Sequence, residues 1–244
     1  MTEFTEWRSL VDGERISAIP DSVVLQYFAT EVDGGDAAWP DDKGTENMTL
    51  TGGESNEALS DGAEALGFDG NDDKGLIDVP DDFDGDGLEA FSLEIAFETT
   101  DTGRNRLFGC RNDDGNQRIE LLINADENFN EDEGRLSFRL SDGNASDLRA
   151  ATNDISINDG NRKDVTVIVE DSTQNDLSII VDGADESLTF GAQDNPDNFG
   201  TWDRDIGVMA RSRDGTDDLH VDGSVGAIRW HDETNDKQTI GDYE

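Results

Sequence analysis

The sequence predicts an all-β chain folded as a sandwich of two antiparallel sheets, and three observations predict it. Short apolar runs such as "FSLEIAF", "IELLIN", "VTVIVE" and "LSIIVDG" recur along most of the chain. Clusters of Gly, Asp and Asn interrupt them at close spacing, as turns do. In the best run the period is two: Phe91, Leu93, Ile95 and Phe97 alternate with Ser92, Glu94, Ala96 and Glu98, so one face is expected in a core and the other wet. No segment reads as a long helix, and 244 residues suffice for one such domain.

Taken in order, residues 1–21 are an amphiphilic lead-in that carries Phe4, Trp7, Leu10 and Ile16 and contains Pro20; they are read as an anchoring segment, and 22–244 as the sandwich. Strands are expected near 22–29, 47–51, 63–68 and 75–79, the last two flanking "FDGNDD". The next are near 90–98, 105–111, 117–124 and 134–140, separated by acidic Gly/Asn turns. The remainder fall near 164–170, 177–183, 186–190, 205–210 and 224–231. In "FDGNDD", Gly70 tolerates positive φ and Asp69, Asn71 and Asp72 can bond back to their own backbone, which is hairpin chemistry; a ligand loop is the other reading.

The charge balance sets the environment. There are 59 acidic residues against 18 basic ones, a formal net charge of −41. An acidic disordered chain would lack the aromatic and β-branched runs quoted above, so the acids belong to the surface of a folded protein. Like charges at this density repel in dilute buffer, whereas at molar salt the Debye length falls to about 3 Å. Fourteen of the basic residues are Arg and four are Lys (43, 74, 163 and 237), and a guanidinium is the more weakly hydrated head. A halophilic source is expected, with high salt required for folding. Such a surface repels nucleic-acid phosphate and anionic lipid, so neither is expected as a partner. The first twenty residues show neither a basic nor an apolar signal region, and no 18-residue apolar run occurs, so export and membrane insertion are not expected.

Successive blocks carry a family resemblance: "VVLQYFATEVDGGDAAWPDDKGTENMTLTGG", "EALGFDGNDDKGLIDVPDDF", "EAFSLEIAFETTD", "DVTVIVED" with "LSIIVDG", "RDIGVMARS" and "VDGSVGAIRWHDE". In this order they resemble the laminin G-like, concanavalin A-like jelly-roll domains, over roughly 22–232. Lys74 and Gly75 stand where the family usually has an aromatic, Ala227 where it often has an acid, and "RKDVTVIVE" lacks the family's Trp and His. The resemblance implies a two-sheet jelly roll, and calcium at a rim of the sandwich. The residues that could hold it are Asp82, Asp84 and Asp86, spaced like the start of an EF-hand loop but with Leu93 at the twelfth position; a solvated turn is the alternative.

Catalysis finds little support. Glu131 and Glu133 share a strand parity but read as a loop, with no third acid to extend the pattern that glycosidases need. His220 and His231 lie in no nucleophile motif, His231 reads as a solvent-tipped edge residue, and Cys110 as a small core filler. The chain is therefore expected not to be an enzyme. Binding through loops remains, with Trp39, Trp202, Asp203, Arg204, Arg211, Arg213 and Asp214 as candidates for a sugar; each Trp can equally plug the end of the sandwich.

A lectin-like module without an export signal suggests a virion surface protein of a virus infecting a salt-loving archaeon: a capsid turret, decoration or tail-fibre module. It would form homo-oligomers, dock on other virion proteins through Phe4, Trp7 and Leu10, and contact host surface glycans. The alternative is an extracellular cellular lectin or an accessory module of a polysaccharide-degrading system. Between about 0.1 M and about 2 M KCl the thermal midpoint followed by circular dichroism is therefore expected to rise steeply. Equal midpoints at both concentrations would contradict it.

Overall fold

The alternating stretch around Phe91 forms a strand in the middle of a sheet, and the rest of the chain is arranged about it. The computed structural model describes residues 23–29, 35–42, 46–78, 90–111, 117–128, 130–142, 147–153, 155–170, 177–191, 205–210 and 219–231. The strands among them are β1 Val23–Phe28, β2 Ala38–Trp39, β3 Met48–Thr51, β4 Ser55–Ala58, β5 Glu64–Asp69, β6 Lys74–Ile77, β7 Phe91–Thr99, β8 Asn105–Arg111 and β9 Gln117–Ala125. They continue with β10 Glu131–Asp142, β11 Asp147–Thr152, β12 Lys163–Val169, β13 Leu177–Val181, β14 Ala184–Asp185, β15 Leu188–Phe190, β16 Ile206–Val208 and β17 Asp222–His231.

Two antiparallel sheets result, as expected for a β-sandwich jelly roll. Sheet A runs β14-β13-β12-β7-β17-β5-β4, and β1 also pairs with β17. One flank of β17 is shared: Asp222–Val225 pair with β5, and the residues from Ala227 to His231 pair with β1, with an irregularity between Val225 and Ala227 on the β7 side. Sheet B runs β15-β11-β10-β9-β8-β16-β6-β3-β2. The core lies between the sheets. Trp230 of β17 stacks on Phe91 of β7 at 4.6 Å and on Phe108 of β8 at 5.7 Å, and Phe91 meets Phe138 of β10 at 6.3 Å, so aromatic rings join the two sheets. Cys110, which is in no disulfide, is buried in the same cluster.

Several expectations are corrected. "FDGNDD" is no hairpin: β5 belongs to sheet A and β6 to sheet B, so the turn carries the chain around the edge of the sandwich. Its bonding is nevertheless that of an Asx turn. Gly70 has φ 73°, the Asn71 N–H donates to Asp69 Oδ1 at 2.8 Å, and the Asp69 N–H donates to Asp73 Oδ2 at 3.0 Å. The supposedly wet face of β7 is buried too, Ser92 at 0 %, Glu94 at 6 % and Ala96 at 1 % exposure. Ala96 packs with Phe28 and Ala227, and Glu94 is paired with Arg229.

His231 is likewise no edge residue. It is fully buried between β7 and β1, with Nε2 3.7 Å from Glu94 Oε1. Burial pushes the Glu94 carboxyl up, but the His231 and Arg229 groups beside it hold it below the ordinary carboxylate range. Four short strands were not expected: β2, β4, β11 and β14. All four residues of β4 are exposed, which leaves no apolar period to read.

The ring stack supplies a second prediction. Trp230→Ala removes the side chain that touches both sheets and should cost about 3–5 kcal/mol, read as a lower denaturant midpoint at unchanged slope in molar salt. An unchanged midpoint would contradict the packing described.

Candidate functional site

In β9 the residues Ile119, Leu121 and Ile123 enter the core, which leaves Arg118, Glu120 and Leu122 on the outer face of sheet B. The same parity in β10 buries Leu136, Phe138 and Leu140 and turns Ser137, Arg139 and Ser141 outward. Strand register then fixes three rows across β8, β9, β10 and β11. They are Arg106, Leu122, Ser137 and Ala151; Gly109, Glu120, Arg139 and Arg149; and Arg111, Arg118, Ser141 and Asp147.

The middle row continues into β16, where Gly207 pairs with Gly109. Gly109 has φ 140°, and a Cβ there would stand 2.2 Å from the Ile119 carbonyl oxygen. No side chain can be added at that point without shifting backbone of the adjacent strand, and Gly109 and Gly207 are both buried.

The three rows hold five arginines and two carboxylates. Arg106 and Glu120 form a buried ion pair, their side chains 5 % and 2 % exposed. Asp147 is shared: Arg139 Nε donates to its Oδ1 at 3.2 Å and Arg149 Nε to its Oδ2 at 2.9 Å. Burial pushes the Asp147 carboxyl up, but hydrogen bonds from Arg139, Arg149 and Ser141 hold it below the ordinary value. Arg118 is pushed down to about 10, first by burial and then by the charges of Arg139 and Arg111. The side chains of Arg149 and Arg139 keep 26 % and 13 % exposure, and Arg111 and Arg118 are half-buried as well.

This arrangement suits binding better than acid–base chemistry. A general acid must carry a proton near neutral pH, and the two carboxylates of these rows are each tied to guanidinium groups. Glu131 and Glu133, expected in a loop, open strand β10 as exposed residues, and Glu133 accepts a hydrogen bond from Asn158 at 3.2 Å. His220 is half-buried, with Nδ1 3.1 Å from the Asp73 carbonyl oxygen.

Of the sugar-stacking candidates, Trp39 is fully buried. Its ring meets Tyr27 edge-on at 6.0 Å, and Nε1 donates to the Phe28 carbonyl at 2.8 Å. The core claims both faces of that ring, so Trp39 is corrected to a packing residue. Trp202, Asp203, Arg204, Arg211, Arg213 and Asp214 lie outside the described residues, as do Asp82, Asp84, Asp86, Phe4, Trp7 and Leu10.

A different acidic group can be described. Oxygens of Asp69, Asp72 and Asp73 lie within 4.8 Å of one another, about the widest spacing at which two oxygens can touch one calcium. Asp69 and Asp73, however, already accept backbone N–H groups of the turn that they close. Hydrogen bonds from Asn71 hold Asp69 below its ordinary value, while burial raises Asp73. These carboxylates serve the bend.

The sequence reasoning missed Arg106, Arg111, Arg118, Glu120, Arg139, Asp147 and Arg149. Their signal was present: within "QRIELLINA" and "RLSFRL" the charged residues occupy the phase that alternates with the core.

No protein-family model and no curated relative matches the chain. Among solved structures it is similar to the binding domain of Paraclostridial Mosquitocidal Protein 1, at TM-score 0.67 and 9 % identity over 90 % of this chain and 51 % of that one. It is also similar to domain 4 of AbnA, a GH43 extracellular arabinanase from Geobacillus stearothermophilus solved in complex with arabinotriose, at TM-score 0.61 and 12 % identity over 91 % and 98 %. A third is a structure of botulinum neurotoxin type C, whose cell entry depends on two ganglioside molecules, at TM-score 0.60 and 11 % identity over 94 % and 53 %. The chain thus spans about half the length of the two toxin structures and nearly all of the arabinanase domain. The likeness establishes the β-sandwich fold.

The Asp147 clamp makes a third prediction. Its folded-state value lies below the ordinary 3.8, so its contribution is fully present above about pH 4 and is lost as pH falls through the folded value. Asp147→Asn should cost about 1.5–3 kcal/mol near neutrality, with the deficit shrinking under acid. A deficit equal at both ends of the pH range would contradict the clamp.

Proposed function

We propose that this chain is a non-enzymatic glycan-binding module that receives its ligand on the outer face of sheet B. The observation that carries this is the pair of partly exposed guanidinium groups, Arg139 and Arg149, set side by side on that face and held by Asp147. Planar N–H donors at fixed positions suit sugar hydroxyl and carboxyl oxygens. The ion pairs hold these donors in place before a ligand arrives, which reduces the ordering cost of binding. Two neighbours in fold support the same reading, an arabinanase domain solved with arabinotriose and a neurotoxin that depends on gangliosides.

Trp202, Asp203, Arg204, Arg211, Arg213 and Asp214, which precede and follow β16 in the sequence, stay in this proposal as sequence-level sugar contacts. The setting that we propose is the outer surface of a virion or another extracellular assembly in brine, where cell-surface glycans are the first molecules met.

The test is a glycan array in about 2 M KCl with the wild type and with Arg139→Ala/Arg149→Ala. The proposal expects saturable binding to at least one glycan and a loss of roughly tenfold or more in the double variant, the size of one or two charged hydrogen bonds. A wild type that binds no glycan at any salt concentration would overturn it.

A further inference from the structure

We propose that the apolar side chains of residues 1–22 are received by the outer face of sheet A in the same chain, so that this segment serves as a third layer of the fold and not as an arm that anchors the chain to another protein. Residues 1–22 lie outside the described residues, and it is the face of sheet A that points to them.

That face is dry where a two-sheet sandwich should be wet. In β1, β7, β12 and β17 the core takes Tyr27, Leu93, Val167 and Trp230, so strand parity turns Phe28, Glu94, Ile168, Arg229 and His231 to the other side. All five are more than nine-tenths buried. A serine or an alanine can hide between larger neighbours, but long side chains standing on a sheet keep their ends in water unless a further layer lies over them.

The described strands supply no such layer, since each belongs to one of the two sheets. Described loops reach its margins: the Arg162 N–H donates to Ser60 Oγ at 2.8 Å, and the Gln26 N–H donates to Asp41 Oδ1 at 3.0 Å. The burial arises within a single chain, so the cover is part of that chain. Its extent can be read from β13, where Ser178 and Ile180 on the same face are only half-buried. The cover is therefore centred on β12, β7, β17 and β1.

Three observations select residues 1–22 for that place. Val23 pairs with His231, and His231 with Ser92, so residue 22 joins the described structure beside the dry patch. Met1, Phe4, Trp7, Leu10, Val11, Ile16 and Ile19 make this segment richer in large apolar residues than two others that border the same strands; 79–89 has Val79, Phe83 and Leu88, and 232–244 has Ile240 and Tyr243. Its reach also suffices. From Phe4 to Ile16 the chain covers about 18 Å even if coiled as a helix, and four strands are about 14 Å across. Seated there, the segment would keep water from the Glu94, Arg229 and His231 group, whose charges are costly to bury and costly to break once paired.

The experiment uses the full chain in about 2 M KCl, with Leu10 replaced by a diazirine analogue of leucine and, in a second protein, Leu88 replaced in the same way. Links formed on illumination are mapped by mass spectrometry. The expected result is that Leu10 links within its own chain to residues of β1, β7, β12 or β17. Links from Leu10 to sheet B only, to a second copy only, or to nothing would overturn the inference, and the second of these would favour an anchoring role. Links to those strands from Leu88 and not from Leu10 would assign the cover to 79–89 and overturn it as well.

Phe4→Ala/Trp7→Ala/Leu10→Ala should lower the folding equilibrium constant roughly tenfold or more in the same salt and raise the binding of an apolar dye to the folded chain. Values equal to those of the wild type would contradict the seating. The near-isosteric analogue at Leu10 keeps the test decisive even if the triple variant fails to fold.

Discussion

The pairing of β7 with β17 is the contact on which the rest of the sandwich depends. Its register sets Trp230 opposite Leu93 and Arg229 opposite Glu94. Parity then sends the indole between the sheets, where it stacks on Phe91 and Phe108, and sends the guanidinium to the other face, where it meets Glu94 and Gln26. A one-residue slip would exchange the two faces, putting a charge into the core and an indole outside. Both consequences are costly, so the central register is specified from both sides.

The same economy explains how so acidic a chain keeps a dense fold. Among the described residues Arg106, Arg135, Arg139, Arg149, Arg162 and Arg229 act as clamps on acids or carbonyls. Arg162 holds Asp61 and Asp164, Arg135 holds Asp132 and the Thr152 carbonyl, and Arg106 holds Glu120. Each clamp removes local repulsion where strands converge. Buried pairs of this kind add little net stability but are costly to break, so they fix geometry more than they add free energy. On the outer face of sheet B such clamps stand in adjacent rows across β8 to β11.

Much of the architecture was legible because apolar period two survives in β7, β9 and β12, where strands are long and central. The short polar strand β4 and the alanine-containing β11 carry no such signal. They form because neighbouring strands offer unpaired backbone, a tertiary cause invisible in one segment. The turn at Asp69 was legible in chemistry but not in topology, since an Asx turn closes in the same way whether the next strand joins the same sheet or crosses to the other. His231 was misplaced for a related reason: the last strand of the chain lies centrally in sheet A, because β1 and β5 both pair with it. The charged rows of sheet B were hidden more deeply. Arg106, Arg118, Arg139 and Arg149 look in the sequence like ordinary outward residues of separate strands, and only the register of four strands brings them into rows.

The central claim is that these rows meet the ligand. The most direct measurement follows the arginine Nε–H signals by NMR in molar salt while a glycan that binds on the array is added. The account predicts that the signals of Arg118, Arg139 and Arg149 move with saturation, while those of Arg162 and Arg229, engaged with sheet A, stay in place. Movement confined to Arg162 and Arg229, with the sheet B arginines unchanged, would contradict it.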